Sequence, residues 1–263
     1  MELGLKDRVA IVAASSQGLG KACALELARE EARVVICARD AALLTTTADE
    51  IRDGTSAEIL PLAIDLTDAA QIQHLADETL RRYSRIDVLV TNNGGPPAGY
   101  FEDLGDEAWL AAHQQTLMSA VRLIRAVLPA MRAQGWGRIV NITSVSVKQP
   151  IDDLLFSNVY RPGVVGLAKT LSTQLATTGI TINTVAPGYT RTERVGKLFE
   201  SRAADHGTSV EQELEAITAG FPMKRMSEPE ELAALVAFLA SERASYITGT
   251  TIQVDGGYVR GLM

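Results

Sequence analysis

Short runs of apolar, largely β-branched residues recur along the chain and alternate with longer amphipathic stretches. Residues 9–13, 33–37, 59–64, 88–91, 138–142, 181–185 and 250–254 carry the first pattern and predict seven buried strands. Residues 20–30, 68–83, 108–133, 164–177 and 230–240 carry the second and predict helices. Strand and helix alternate from end to end with no linker-like composition and no repeat. The pattern predicts one doubly wound α/β domain over 1–263, a seven-stranded, mostly parallel sheet with helices on both faces. The exception is 188–222, long and polar, with helix-like pieces at 192–204 and 210–219 and no strand pattern. A connection of that length predicts a mobile lid over a site.

Composition narrows the function classes. Hydrophobic residues make up 46% and charged residues 22%, enough apolar material for a packed core. The 25 Lys and Arg against 32 Asp and Glu leave a net charge of −7, which disfavours nucleic acid and anionic membrane as partners. No run approaches the length of a membrane span; the longest, 232–240, is about half of one. The two cysteines, Cys23 and Cys37, lack Cys-x-x-Cys spacing, and the opening MELGLKDRVAIVAA lacks a basic segment before its apolar run. Together these predict a cytoplasmic protein with free thiols. The histidines, His74, His113 and His206, are scattered, so no metal site is expected.

The first predicted strand runs into Ala13-Ala14-Ser15-Ser16-Gln17-Gly18-Leu19-Gly20 and then a helix. Such a turn offers free N–H groups and the positive end of a helix dipole to a pyrophosphate, with Gly18 and Gly20 permitting close approach. Glycines that only let a helix pack on its strand would read the same way. The second strand ends at Ala38-Arg39-Asp40. In a dinucleotide fold that tip faces the adenosine ribose, where an acid would hold a 2′-hydroxyl and Arg39 suits a 2′-phosphate. NADP(H) is therefore favoured over NAD(H), unless Asp40 neutralises the arginine. Asp65-Leu66, after the third strand, suits the adenine amino group, while Asp65 or Asp68 also suits the N-cap of the next helix.

With these residues the chain resembles the short-chain dehydrogenases/reductases, most closely the 3-oxoacyl-acyl-carrier-protein reductase-like group, over essentially its whole length. The glycine turn is similar to the later part of Thr-Gly-x-x-x-Gly-x-Gly. Asn92-Asn93-Gly94-Gly95 resembles Asn-Asn-Ala-Gly, and Asn141-Ile142-Thr143-Ser144 ends the fifth strand. Pro187-Gly188-Tyr189-Thr190-Arg191-Thr192 matches Pro-Gly-x-x-x-Thr, and Tyr246-Ile247-Thr248-Gly249 with Val254-Asp255-Gly256-Gly257 matches the last strand. The resemblance implies a nicotinamide cofactor near Ser15, Gln17, Gly18, Leu19, Gly20, Asn92, Gly94, Pro187, Gly188, Thr190 and Thr192. It also implies a small-molecule or acyl-thioester carbonyl substrate and a homotetramer or homodimer built on 108–133, 164–177 and the final strand.

The family's catalytic tetrad is only partly present. Ser144 occupies the serine position and suits polarisation of a substrate oxygen. The tyrosine position holds Ser157, the lysine position Arg161, and the asparagine position aligns with Thr116. An aliphatic hydroxyl titrates far outside the range of a tyrosine lowered by a neighbouring cation, so Ser157 does not simply replace it. Arg161 keeps the positive charge that suits the nicotinamide ribose or the lowering of a neighbour's pKa, but will not itself surrender a proton. Tyr160, three residues on, is a candidate replacement, or else a packing residue, and Pro162 predicts a helix that kinks there or begins later. Lys148 and His113 are weaker proton-transfer candidates, and Phe199 and Phe221 are read as lid residues shaping an apolar pocket. Ala13 and Ala14 depart from Thr-Gly; alanine tolerates the turn only if φ stays negative. These substitutions leave open a rival, a cofactor-binding scaffold or sensor without hydride transfer.

Overall fold

The computed structural model describes residues 2–262; Met1 and Met263, the ends of the predicted domain, lie outside the described residues. Seven strands, β1 (Val9–Ala13), β2 (Arg33–Ala38), β3 (Ile59–Ala63), β4 (Val88–Thr91), β5 (Gly137–Ile142), β6 (Ile180–Pro187) and β7 (Thr251–Val254), form one sheet in the order β3-β2-β1-β4-β5-β6-β7. All six neighbouring pairs are parallel, so every connection crosses over the sheet. The helices are α1 (Gly18–Arg29), α2 (Ala41–Gly54), α3 (Ala69–Tyr83), α4 (Asp106–His113), α5 (Ser119–Gln134), α6 (Leu155–Leu175), α7 (Glu193–His206), α8 (Val210–Ala219) and α9 (Pro229–Leu239).

Successive strand residues point to opposite faces, and along the central strands β1, β4, β5 and β6 both faces are buried. Ala10, Val12, Val34, Ile36 and Val140 pack under α1, α2 and α9, while Val9, Ile11, Val35, Leu89 and Ile139 pack under α3, α5 and α6. This two-sided burial is why the strands read as continuous apolar runs. Strand order reverses direction between β1 and β4, opening a crevice at the carboxyl ends, where ligands bind in sheets of this kind. A third apolar cluster of Tyr189, Phe199, Phe221 and Met226 holds α7 and α8 together beside that crevice. Phe199 and Phe221 form the interior of this cap; neither lines the large cavity at the strand ends, and Phe199 also borders a separate cavity between α7 and α8.

Three elements differ from expectation. Residues 41–54 form α2, unpredicted because three consecutive threonines lower the helical pattern; the Asp40 carboxylate caps it, accepting from Leu43 N at 3.0 Å. Residues 108–133 are not one helix: the chain widens into a π-type turn over Gln114–Met118 between α4 and α5. The helix expected at 164–177 begins at Leu155 and continues through Pro162, which forfeits only the bond its N–H would make to the Asn158 carbonyl. Both cysteines are free and buried.

The turn after β1 also departs from expectation, since Ala14 adopts φ +49° rather than a negative value. A side chain in that left-handed region is strained, and glycine is not. Ala14→Gly is therefore expected to stabilise the fold by about 0.5–1 kcal/mol, read as a rise of roughly 2 °C in the thermal midpoint. A fall in midpoint would contradict the strain.

Candidate active site

The carboxyl ends of β1, β4, β5 and β6, roofed by α7, enclose a cavity of about 620 Å³. Its adenosine-side wall is the β1–α1 turn. A Cβ at Gly20 would lie 2.2 Å from the Ala14 carbonyl oxygen, so only glycine permits the helix to start this close to the strand. Gly18 has φ +55°, and Gln17 at the N-cap makes no side-chain capping bond. The first-turn N–H groups of α1 therefore have no intrahelical or capping acceptor and suit a pyrophosphate. Gln17 and Leu19 line the cavity; Ser15 does not. The buried Ser15 hydroxyl donates to the Val12 carbonyl at 2.7 Å and accepts from Cys37 N at 3.0 Å, stitching β1 to β2.

At the tip of β2, Arg39 is exposed and makes no ion pair within 4.0 Å among the described residues. Asp40 is turned into its capping bond, so it does not neutralise Arg39. Asp65 accepts from Thr67 N and Thr67 Oγ1 at 2.9 and 2.8 Å. The N-cap of α3 is Asp68, bonded to the N–H groups of Ala70 and Gln71. Leu66 packs on the core beneath α3 and α5. Asn92 Nδ2 donates to the Ala14 carbonyl at 3.3 Å, joining the β4 loop to the glycine turn.

The floor carries the tetrad positions. Ser144 Oγ accepts from Ser146 N at 3.1 Å, which leaves its hydroxyl proton free to donate into the cavity. Ser157 is buried, lines the same cavity and makes no side-chain hydrogen bond among the described residues. One helical turn on, Arg161 is 7% exposed; its Nη1 donates to the carbonyls of Thr143 at 2.8 Å and Ile142 at 3.4 Å. No carboxylate pairs with it, and burial, aided by the nearby charge of Arg194, lowers its pKa to about 10. Thr116 sits in the π-type turn with its hydroxyl buried and unpartnered, as is Arg161 Nε. Both residues line a second cavity of about 10 Å³, a size and polarity that suit one water.

Tyr160 is turned away from the cavity. Its hydroxyl donates to the Trp109 carbonyl at 3.0 Å, and its ring packs against Trp109, Phe156 and His113. The i, i+3 relation to Ser157 therefore does not deliver it to the vacated tyrosine space, and it leaves the set of candidate proton donors. Lys148 and His113 line none of the cavities described here.

The roof follows β6. Pro187, Gly188, Thr190 and Thr192 all border the cavity. A Cβ at Gly188 would lie 2.9 Å from the Asp255 Cα, so this turn also requires glycine. Thr190 Oγ1 bonds Ser227 Oγ at 2.8 Å, and Thr192 caps α7. Three contacts escaped sequence reasoning. Arg194 donates to the carbonyls of Gly94 and Pro96, Arg202 makes a bidentate pair with Asp153 at 2.8 Å, and the Asn158 amide exchanges two bonds with Ile151. Arg194 and Arg202 link segments far apart in sequence, and no local spacing announces them. Among the described residues no group of side chains could hold a metal ion, and no helix is long and apolar enough to cross a membrane.

Residues 13–259 match the family model described as enoyl-(acyl carrier protein) reductase. The NADPH-dependent reductase BacG of Bacillus subtilis is 32% identical over 98% of this chain and 100% of its own. The 3-oxoacyl-acyl-carrier-protein reductase FabG of Haemophilus influenzae is 32% identical over 96% and 98%. The crystal structure of L-sorbose reductase from Gluconobacter frateurii, complexed with NADPH and L-sorbose, superposes with a TM-score of 0.95 at 31% identity over 100% of both chains.

Because Tyr160 serves packing, Tyr160→Phe is expected to leave any measured turnover within about twofold. It should cost about 1 kcal/mol of stability through the lost bond to Trp109. A hundredfold loss of turnover in a folded variant would return Tyr160 to the reacting centre.

Proposed function

The chain belongs to the short-chain dehydrogenase/reductase family, and on that premise we propose that it is an NADP(H)-linked oxidoreductase interconverting a carbonyl and an alcohol. The observation that carries this is the joining, in one cavity, of the uncapped α1 N-terminus with a serine whose hydroxyl proton is free. When bound, the nicotinamide supplies or accepts the hydride. Gln17, Leu19 and the first-turn N–H groups of α1 hold the pyrophosphate. Asn92, Gly94, Pro187, Gly188, Thr190 and Thr192 border the rest of the cofactor groove. Arg39, free of Asp40, reads the 2′-phosphate, while Asp65 and Leu66 flank the adenine. BacG and the sorbose reductase complex, both associated with NADPH by name, support that choice.

At the reacting centre Ser144 donates to the substrate oxygen, and Arg161 supplies positive charge beside it. Ser157 leaves room where the family carries a tyrosine and offers a second hydroxyl to the same oxygen. In the reducing direction one hydride goes to the carbonyl carbon and one proton, from water, to the oxygen. Thr116 and Arg161 flank the small polar cavity through which that water would be held. The cap over 188–222 serves as the lid, anchored by Arg202 to Asp153. A 3-oxoacyl thioester is one candidate substrate, in keeping with the ketoacyl reductases among the relatives. We also read the protein as a single-domain cytoplasmic homotetramer or homodimer; Leu110 and Val159, exposed on α4 and α6, supply apolar surface for such contacts.

The absence of a tyrosine at Ser157 favours one second reading, a cofactor-binding scaffold or sensor without turnover. Calorimetric titration separates the cases. NADPH is expected to bind at least tenfold more tightly than NADH, and Arg39→Gln to erase that difference by weakening NADPH alone. Ser144→Ala is expected to lower carbonyl reduction about 10²-fold without weakening NADPH binding. No binding of either nucleotide would end the oxidoreductase reading. Tight NADPH binding with no turnover on a broad carbonyl panel would support the scaffold.

A further inference from the structure

The ionisable side chains facing the large cavity are unbalanced. Arg161 lies buried at its floor, and Arg194 and Lys197 stand exposed on α7 at its mouth. No aspartate or glutamate lines the cavity, although the chain as a whole carries a net charge of −7. None of the three cations has a carboxylate within 4.0 Å among the described residues. Arg161 and Arg194 bond only to main-chain carbonyls, and Lys197 makes no hydrogen bond there. Arg202 on the same helix makes the contrast, since its guanidinium is saturated by Asp153 and anchors α7.

A carbonyl oxygen carries only a partial charge, so each of these guanidiniums remains short of a full counter-charge. The pyrophosphate does not require the whole excess, because the α1 N-terminus, which meets α7 at Thr192, already provides a donor set for it. Arg161, at the floor beside Ser144, belongs to the reacting centre. Arg194 and Lys197 are left over. They sit three residues apart on one helix face, both border the cavity, and Arg194 reaches its Gly94 and Pro96 wall. A planar fork and an ammonium together suit a carboxylate.

We propose that the substrate of this cavity is a carbonyl compound bearing a carboxylate, and that Arg194 and Lys197 read the carboxylate while Ser144 holds the reacting oxygen. The proposal rests on the oxidoreductase reading and deepens it by naming the substrate class. Arg194 would exchange its carbonyl contacts to Gly94 and Pro96 for the acid group, so that an anionic substrate completes the attachment of α7 to the β4 loop. A neutral ketone of the same shape would leave Arg194 as it is.

The test uses the full chain saturated with NADP⁺, titrated calorimetrically with a series of 2-oxo and 3-oxo acids from pyruvate and acetoacetate to benzoylformate, each beside its methyl ester. At least one acid is expected to bind ten times or more as tightly as its ester. Arg194→Gln, and more so with Lys197→Gln added, is expected to reduce that preference about tenfold while NADPH affinity changes less than twofold. Both residues are exposed, and an unchanged thermal midpoint would show the variants folded. The proposal is overturned if no acid exceeds its ester. It is equally overturned if Arg194→Gln weakens NADPH and leaves the preference intact, since Arg194 would then serve the cofactor phosphates. Failure of the wild-type chain to bind NADPH, seen in a titration without acid, would remove the oxidoreductase reading and this inference with it.

Discussion

A guanidinium buried without a carboxylate beside it, that of Arg161 at the carboxyl end of β5, is the constraint around which the site is arranged. Burying an unpaired cation is costly, and the fold offsets part of the cost with two strand-end carbonyls, those of Ile142 and Thr143. That arrangement requires α6 to run close under the end of β5 and to begin well before Pro162. The early start places Ser157 one turn ahead of Arg161, and both line the same cavity as Ser144. Asn158, on the same turn, fixes Ile151 through two amide bonds, so the loop between β5 and α6 is shaped by the helix that follows it.

The cap meets this floor through arginines used in two ways. Arg202 is neutralised by a bidentate carboxylate and also touches Tyr189 Oη at 3.4 Å, which ties the cap's apolar cluster to the loop before α6. That pair is mostly shielded from solvent, so it holds better than an exposed ion pair would. Arg194 reaches the β4 loop with hydrogen bonds to carbonyls alone. The first attachment is electrically complete; the second is not, and in the proposed lid it is the edge that a ligand would engage. A cap held firmly at one side and loosely at the other admits ligand without losing its own packing.

The fold was legible because a parallel sheet buried on both faces leaves an unmistakable alternation of apolar runs and amphipathic helices. All seven strands lie within two residues of their predicted ends. The errors are local and physical. Three threonines hid α2, and one proline suggested a break in α6 that a single missing hydrogen bond does not cause. The π-type turn that presents Thr116 has the same residue pattern as an ordinary helix. At the candidate site, Gln17, Leu19 and Ser144 line the cavity, and their placement follows from neighbours in sequence that are also neighbours in space. Ser15 was misread because its hydroxyl turns inward to Val12 and Cys37, a choice that spacing does not reveal. Arg194 and Arg202 depend on where a cap lands across the cleft, and only tertiary structure settles that.

What the tetrad positions retain and what they lose divide along a chemical line. The charge at the lysine position and the hydroxyl at the serine position remain, and in the proposed reaction these would act by electrostatic stabilisation of a developing oxyanion. The tyrosine, the group matched in pKa to deliver a proton, is gone, and Tyr160 is committed to the Trp109 carbonyl. General acid catalysis contributes roughly 10²–10⁴-fold where it operates. A site without it must recover that factor elsewhere or turn over slowly. Positioning is the larger reservoir, since holding a substrate in a near-attack geometry can contribute several powers of ten. A cavity rich in uncompensated positive charge orients an anionic substrate more firmly than a neutral one, because each charge-assisted bond fixes direction as well as distance. Under the proposed function the missing tyrosine and the unpaired cations are two sides of one arrangement, in which the field of the site and the grip on the substrate would carry the work that acid–base chemistry carries elsewhere.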